Sequence, residues 1–450
     1  MPGGAESTKT VILGFDALDF RYLDKFAADL PRLSSLRSTG VASPLTATFP
    51  PWTGSAWPSM YTGVDPSHHG VFNFFKHDRD YPDTATLVSR NDVKAPAIWN
   101  YLSVQDVPSI VLNVPITHPT EAITGVLIPG YLADEETSGH PSGIREQLDK
   151  VLGRPYSIYS PYELADDEGS VLEGCLDLID LRKRAALELL DRYDWRFAFI
   201  QVQKTDTAFH KFSSPRAHRR IYEAADDLLG AVMEVTGDCN VIVCSDHGIG
   251  PVTGYKIYLN EILRNQGFVS GARSGPPLTL ADKKPALVES NHRETTRLFG
   301  RLSETMLSGV LTALDSVGVT PGDMYYTAQQ LGVDSTLERI VPGHVLSTVG
   351  RGVDWRRSKA YCASQSELGI RLNLEGREPE GVVDRSAYES VRDAIIETLE
   401  GVRTPDGEPA FEWVKRREEV YDGPYTDRAP DVAFMPTDMN HIVATSLLGR

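Results

Sequence analysis

Short apolar runs rich in β-branched residues, separated by stretches with helical spacing, set the limits on how this chain can fold. Residues 10–15 (TVILGF) read as a buried parallel strand that stops at Asp16. Residues 107–114, 197–202 and 240–244 read the same way. Helical patterns fill 19–38, 94–104, 172–193 and 215–236, and Pro31 is placed to start a new helix inside the first of them. Strand alternating with helix predicts an α/β fold with a doubly wound, mostly parallel sheet. Ligands of such sheets sit at the carboxyl ends of the strands. Asp16, Asp206 and Asp246 each fall just beyond such an end.

The 450 residues have room for two or three domains, or for one large domain carrying an insertion. The pattern changes near residue 254. The expected division is a first part of the α/β core over 8–253, an inserted helical cap over 254–350, and a return to the core over 351–450. The cap reading rests on a helix at 258–266, a Gly/Ser/Pro stretch at 269–278 and a long helical pattern at 292–317. Strands at 359–364 and 369–374 and a helix at 385–400 mark the return.

A net charge of −17 argues against a nucleic acid polymer as partner; an anionic substrate needs bound metals or a local basic patch. Cys175, Cys239, Cys244 and Cys362 have no paired spacing, so neither a zinc site nor a disulfide framework is indicated, and they read as buried thiols. The first residues carry neither a basic n-region nor an apolar h-region, and no apolar run approaches the roughly 18 residues of a membrane span. The expectation is a soluble, cytoplasmic protein. Oligomeric state leaves no mark that can be read.

Four segments carry residues suited to a pair of divalent cations and a nucleophile: Asp16, Thr53, Asp206 with His210, and Asp246 with His247. Each has a plainer reading when taken alone. Asp16 serves as a turn residue, and Asp246-His247 as a turn Asp beside a surface His. Asp206 and His210, four apart, share one helical face and so can bind one cation, but also suit a surface or capping pair. Thr53 follows Pro50 and Pro51 and suits a helix cap. The same place at a helix N-terminus also favours an alkoxide and a bound phosphate. His68, His69 and His77 read as surface residues or as supports behind a site.

Taken together these segments resemble the alkaline phosphatase superfamily, in its type I phosphodiesterase/nucleotide pyrophosphatase branch. The resemblance is carried by VILGFDALD (11–19), Thr53 with AWPSMYTGVDPSHHG (56–70), DTAFH (206–210) and SDHG (245–248), and extends to GVDWRRSKAY (352–361), GIRLNLEGREPEGVV (369–383), REEVYDGPY (417–425) and APDVAF (429–434). It implies two divalent metal ions, zinc in most of the family. Asp16, Thr53, Asp246 and His247 match the ligands of one, and Asp206 and His210 match two of three protein ligands of the other. Thr53 matches the nucleophile. Asn73 is the candidate for an Asn that helps hold a phosphoryl oxygen, although its spacing from His69-Gly70 is one residue short of the family's. The third ligand beside Asp206 and His210 comes from a late His in the family. Here the late His is His441, whose surroundings do not match, and the chain ends soon after, which fits a shortened end equally well.

The expected activity is metal-dependent hydrolysis of a phosphate diester or pyrophosphate through a phosphothreonine, acting on a small phosphate ester. Phosphomonoesterase or phosphotransferase action at the same site, and a non-catalytic scaffold with a degenerate metal site, are the alternatives. A sulfatase needs a Cys or Ser at the nucleophile position followed by Pro and Arg, and Thr53-Gly54-Ser55-Ala56-Trp57 has neither Cys nor Arg. Cofactor-independent phosphoglycerate mutase uses a Ser nucleophile. No Gly-x-Gly-x-x-Gly follows the first strand, which argues against a dinucleotide enzyme.

Overall fold

In the computed structural model, residues 8–76, 81–165, 167–271 and 352–447 are described, with 283 and 287 in isolation. The strands, in chain order, are β1 (Thr10–Phe15), a short hairpin of β2 (Phe75–Lys76) and β3 (Thr86–Leu87), β4 (Ser109–Leu112), β5 (Gly125–Ile128), β6 (Phe197–Val202), β7 (Asn240–Cys244), β8 (Lys256–Tyr258), β9 (Ala360–Tyr361), β10 (Gly369–Leu372), β11 (Phe411–Arg416), β12 (Val432–Pro436) and β13 (Ile442–Ala444).

The central sheet has the order β5-β4-β6-β1-β7, and every pairing in it is parallel. β1, β4, β5 and β6 are largely apolar runs because both their faces are covered. Val11, Leu13 and Phe15 of β1 point into a core shared with the helices Glu168–Arg192 and Pro215–Thr236. Ile12, Val111, Leu127 and Phe199 point to the opposite core, with Trp57 and Tyr61 of the helix Thr53–Thr62 and Trp99 of Ile98–Val104. This is the doubly wound α/β arrangement expected. β7 closes one edge and is the least covered strand, with Ile242 exposed. Pro31 does start a helix, Pro31–Thr39, at its first position, where a missing N–H costs nothing.

A second sheet, β11-β12-β10-β9, is antiparallel and packs against the helix Tyr388–Glu400. Residues 257–269 share this second core, and β8 pairs with β13. Phe49 and Trp52, just ahead of Thr53, are packed on it as well: the Phe49 ring lies 5.0 Å from that of Trp413, and Tyr421 donates to the Phe49 carbonyl at 3.2 Å. The second core therefore braces the turn that delivers Thr53. The helical pattern at 292–317 and most of the expected cap lie outside the described residues. No described helix is long and apolar enough to cross a membrane. None of the four cysteines forms a disulfide; Cys175 and Cys362 are buried, whereas Cys239 and Cys244 are only half-buried.

Candidate active site

Asp16 leaves β1 fully buried, with its N–H bonded to the Val202 carbonyl of β6 at 3.0 Å. Its Oδ2 accepts from the Trp57 indole at 2.7 Å and from Gln201 Nε2 at 3.2 Å. Trp57 stands one helical turn after Thr53, so both side chains face Asp16. Gly14 makes room for this indole: a Cβ there would lie 2.5 Å from the ring. Sequence reasoning missed Trp57 and Gln201. The i, i+4 spacing from Thr53 was the available signal for Trp57; Gln201 lies inside an apolar strand and carries none.

Thr53 is the first residue of its helix, and Trp52 takes the capping position without a side-chain cap bond. The cap reading of Thr53 is thus not what the fold adopts. One residue further into the helix, its hydroxyl turns away from the helix amides. It donates to Asp16 Oδ1 at 3.4 Å and lies 3.3 Å from His247 Nε2.

Asp246 and His247 follow β7 through a turn pinned by Ser245, whose hydroxyl accepts from Leu18 N–H at 2.8 Å and donates to the His247 carbonyl at 2.7 Å. Asp246 Oδ1 accepts from Ala17 N–H at 3.3 Å, and Oδ2 is buried without a hydrogen bond. His247 Nδ1 donates to the Gly248 carbonyl at 2.9 Å, which points Nε2 at Asp246 (3.4 Å) and Asp16 (3.6 Å). Donor atoms of Asp16, Asp246 and His247 all lie within 4.8 Å of one another.

Asp206 and His210 sit on the helix Lys204–Lys211 that follows β6, with His210 Nε2 3.2 Å from Asp206 Oδ1. Among the described residues no third His, Cys or carboxylate joins this pair in a comparable cluster. His441 packs elsewhere, its Nδ1 accepting from Tyr255 N–H at 2.9 Å. Asn73 is buried against Gly54, beside Thr53. His69 is fully buried rather than on the surface. Its Nδ1 accepts from Val71 N–H at 3.2 Å and its Nε2 meets the Ser59 hydroxyl at 2.9 Å, so it ties the loop leading to Asn73 to the Thr53 helix. Burial pushes its imidazole down to about 4 and keeps it neutral. His68 is exposed, and His77 lies outside the described residues.

The electrostatics are those of a cation site. Burial, with the charges of Asp246 and Asp206, holds the Asp16 carboxyl well above the usual range. Burial pushes Asp246 up to about 6 against the pull of His247. For His247 burial acts downward, but Asp246, Asp16 and Asp206 outweigh it and raise the imidazole to about 9. At Asp206 burial acts upward and is outweighed by His210, His247 and Lys204, so its carboxyl is lowered. A protonated His247 thus stands among the carboxylates where a cation would stand. The buried Asp246 Oδ2, which has no hydrogen bond and faces only His247 Nε2 at 3.4 Å, and the mixed Asp/His donor set fit a divalent ion. With cations stripped, Asp246 favours its protonated form below about 6, and the stabilising charge on His247 is complete below 6.5 and lost through about 9. Both effects have the same sign: the metal-free protein loses stability, by a few kcal/mol, as pH rises from about 5 to 9. Thermal melts of chelator-treated protein check this, and a profile that rises over that range contradicts it.

A parallel sheet with carboxylates, imidazoles and a helix-borne hydroxyl at its carboxyl ends defines an α/β protein of the alkaline phosphatase type. Solved structures agree on the fold. Phosphonoacetate hydrolase from Sinorhizobium meliloti 1021 in complex with phosphonoformate matches at TM-score 0.58 and 17% identity, over 98% of this chain and 83% of that one. The same enzyme with phosphonoacetate matches at 0.57 and 16%, with equal coverage. The chain belongs to the type I phosphodiesterase / nucleotide pyrophosphatase family, whose family model matches residues 10–449. It is a phosphoric ester hydrolase of that family. No match was found among curated protein sequences.

Proposed function

We propose that the protein hydrolyses small phosphodiesters or pyrophosphates with Thr53 as nucleophile and two divalent cations, zinc by preference, as cofactors. The observation that carries this reading is the Thr53 hydroxyl, at a helix N-terminus and within 3.3–3.4 Å of His247 Nε2 and Asp16 Oδ1. Asp16, Asp246 and His247, with Thr53, would hold one cation; Asp206 and His210 would hold the other. Bound there, the cations supply Lewis-acid chemistry, lowering the pKa of a hydroxyl or water and neutralising phosphoryl charge.

The chain's own residues do the rest. Asp16 accepts the Thr53 hydrogen bond and aims Oγ, while Trp57 and Gln201 hold Asp16 in place. The Thr53 and Gly54 amides come before the first intrahelical bonds, which Ser55 and Ala56 make to the Trp52 carbonyl at 3.0 and 2.8 Å, and so suit a phosphoryl oxygen. Thr53 Oγ gives up its proton to solvent and bonds to phosphorus as the ester P–O bond breaks, and the departing oxygen takes one proton up from solvent. Water then attacks the phosphothreonine, returning the hydroxyl and releasing the product. The structural neighbours hold phosphonoacetate and phosphonoformate, which supports a small phosphorus-containing substrate.

Bis-p-nitrophenyl phosphate and p-nitrophenyl phosphate, assayed side by side, test the proposal. We expect the diester to turn over faster, activity to vanish with a chelator, and zinc to restore it. Faster monoester turnover points to the phosphomonoesterase alternative. Inertness toward both after zinc loading overturns the proposed zinc-dependent diesterase activity.

A further inference from the structure

We infer that Ser366 is a positioning residue for phosphoryl binding, acting through Asn73; the inference rests on the reading of Thr53 as nucleophile. Asn73 is 2% exposed, and its Oδ1 accepts two hydrogen bonds, from the Phe74 N–H at 2.7 Å and from the Ser366 hydroxyl at 2.7 Å. Its Nδ2 is buried and has no hydrogen-bond partner. The amide cannot be reversed, because that would set an NH2 donor against the Phe74 N–H donor. The two hydrogen bonds to Oδ1 therefore fix where the NH2 group points.

A buried donor without an acceptor is costly, so a fold keeps one where something else supplies the acceptor. The location says what that is. The Asn73–Phe74 peptide lies directly on Gly54, where an added Cβ would sit 3.0 Å from Phe74 N and 3.1 Å from the Asn73 carbonyl carbon. Gly54 is the neighbour of Thr53. A neutral NH2 set beside the nucleophile is suited to an oxygen on which negative charge builds during phosphoryl transfer.

Ser366 comes 293 residues later, on the loop between β9 and β10. Its own geometry is fixed locally. Ser364 Oγ lies 2.9 Å from Ser366 Oγ and accepts from the Ser366 N–H at 3.3 Å. The next residue, Glu367, is buried and paired with Arg371. With Ser364 donating to it, the Ser366 hydroxyl keeps its own proton for Asn73. Through this contact the second sheet reaches the nucleophile and sets the orientation of a substrate-binding amide.

The test uses the full chain, zinc-loaded, with bis-p-nitrophenyl phosphate as probe. Ser366→Ala should lower kcat by ~10-fold, with KM changed much less and the melting temperature preserved; Asn73→Ala should cost ~100-fold. Ser366→Thr, which keeps the hydroxyl, should restore most of the loss. In the Asn73→Ala background Ser366→Ala should cost nothing further, since its effect passes through Asn73. Wild-type kcat in Ser366→Ala overturns the inference, as does an equal loss in both backgrounds, which would signal a packing effect. Thr53→Ala run in parallel separates the two levels. If it is dead while Ser366→Ala is unimpaired, only the positioning role falls; if it turns over, the underlying reading falls.

Discussion

Thr53→Ala is expected to lower kcat on a phosphodiester by at least ~10⁴-fold, because removal of a covalent nucleophile leaves only binding and electrostatic assistance. Stability should scarcely change. The hydroxyl's contacts, at 3.4 Å to Asp16 and 3.3 Å to His247, are long, so their loss costs less than about 1 kcal/mol. Metal content should hold near the wild-type value, since Asp16, Asp246 and His247 keep their donor atoms. Thr53→Ser keeps an oxygen in place but loses the β-branch that restricts χ1, so it should retain a substantial fraction of activity. Steady-state kinetics with metal analysis on the three proteins decides the matter. Substantial turnover by Thr53→Ala would remove the nucleophile assignment even if zinc is bound in full.

The parts of this site that could be read from the sequence are those whose geometry is local. Asp16 and Asp246 were legible because each ends an apolar run that pairs in the central sheet, and the pairing of β1 with β6 and β7 brings those ends together. The 215–236 helix was legible from its spacing, and Asp206 with His210 from a four-residue separation on one turn. The rest depends on contacts between distant segments. Gln201 reaches Asp16 across 185 residues and Ser366 reaches Asn73 across 293, and neither residue carries a local pattern. The hydroxyl of Thr53 could as well have capped its helix; only the position of Trp52 one residue earlier decides against it. β5 has four residues and β9 two, too few for a period to register, and β11 (FEWVKR) mixes charged and aromatic residues on an antiparallel strand with one solvated face.

Asp431→Ala should be the most destabilising of the substitutions considered, by about 3 kcal/mol, because it strips the shared acceptor from two half-buried guanidinium groups, which keep only Glu378 and Glu418 as carboxylate partners. Asp431 is fully buried on the second sheet and takes five hydrogen bonds. Arg377 supplies two, at 2.7 and 2.8 Å, and Arg417, the Tyr388 hydroxyl and the Leu372 N–H supply the others at 3.1, 2.7 and 2.8 Å. Burial pushes its carboxyl up, yet Arg377 and Arg417 outweigh burial and hold it below the ordinary value. A depressed folded-state pKa contributes stability above the unfolded value of 3.8 and loses it as pH falls through the folded one. The gap between wild type and variant should accordingly be full at neutral pH and narrow below about pH 4. Denaturant unfolding at pH 7 and pH 3 measures both; an equal gap at the two values would show that lost packing, not lost charge, sets the cost. Activity should fall with Asp431→Ala beyond what unfolding explains. The sheet this carboxylate stabilises carries the Ser366 loop, and its core braces Phe49 and Trp52 ahead of the nucleophile, so loosening it frees both walls of the Thr53 site at once.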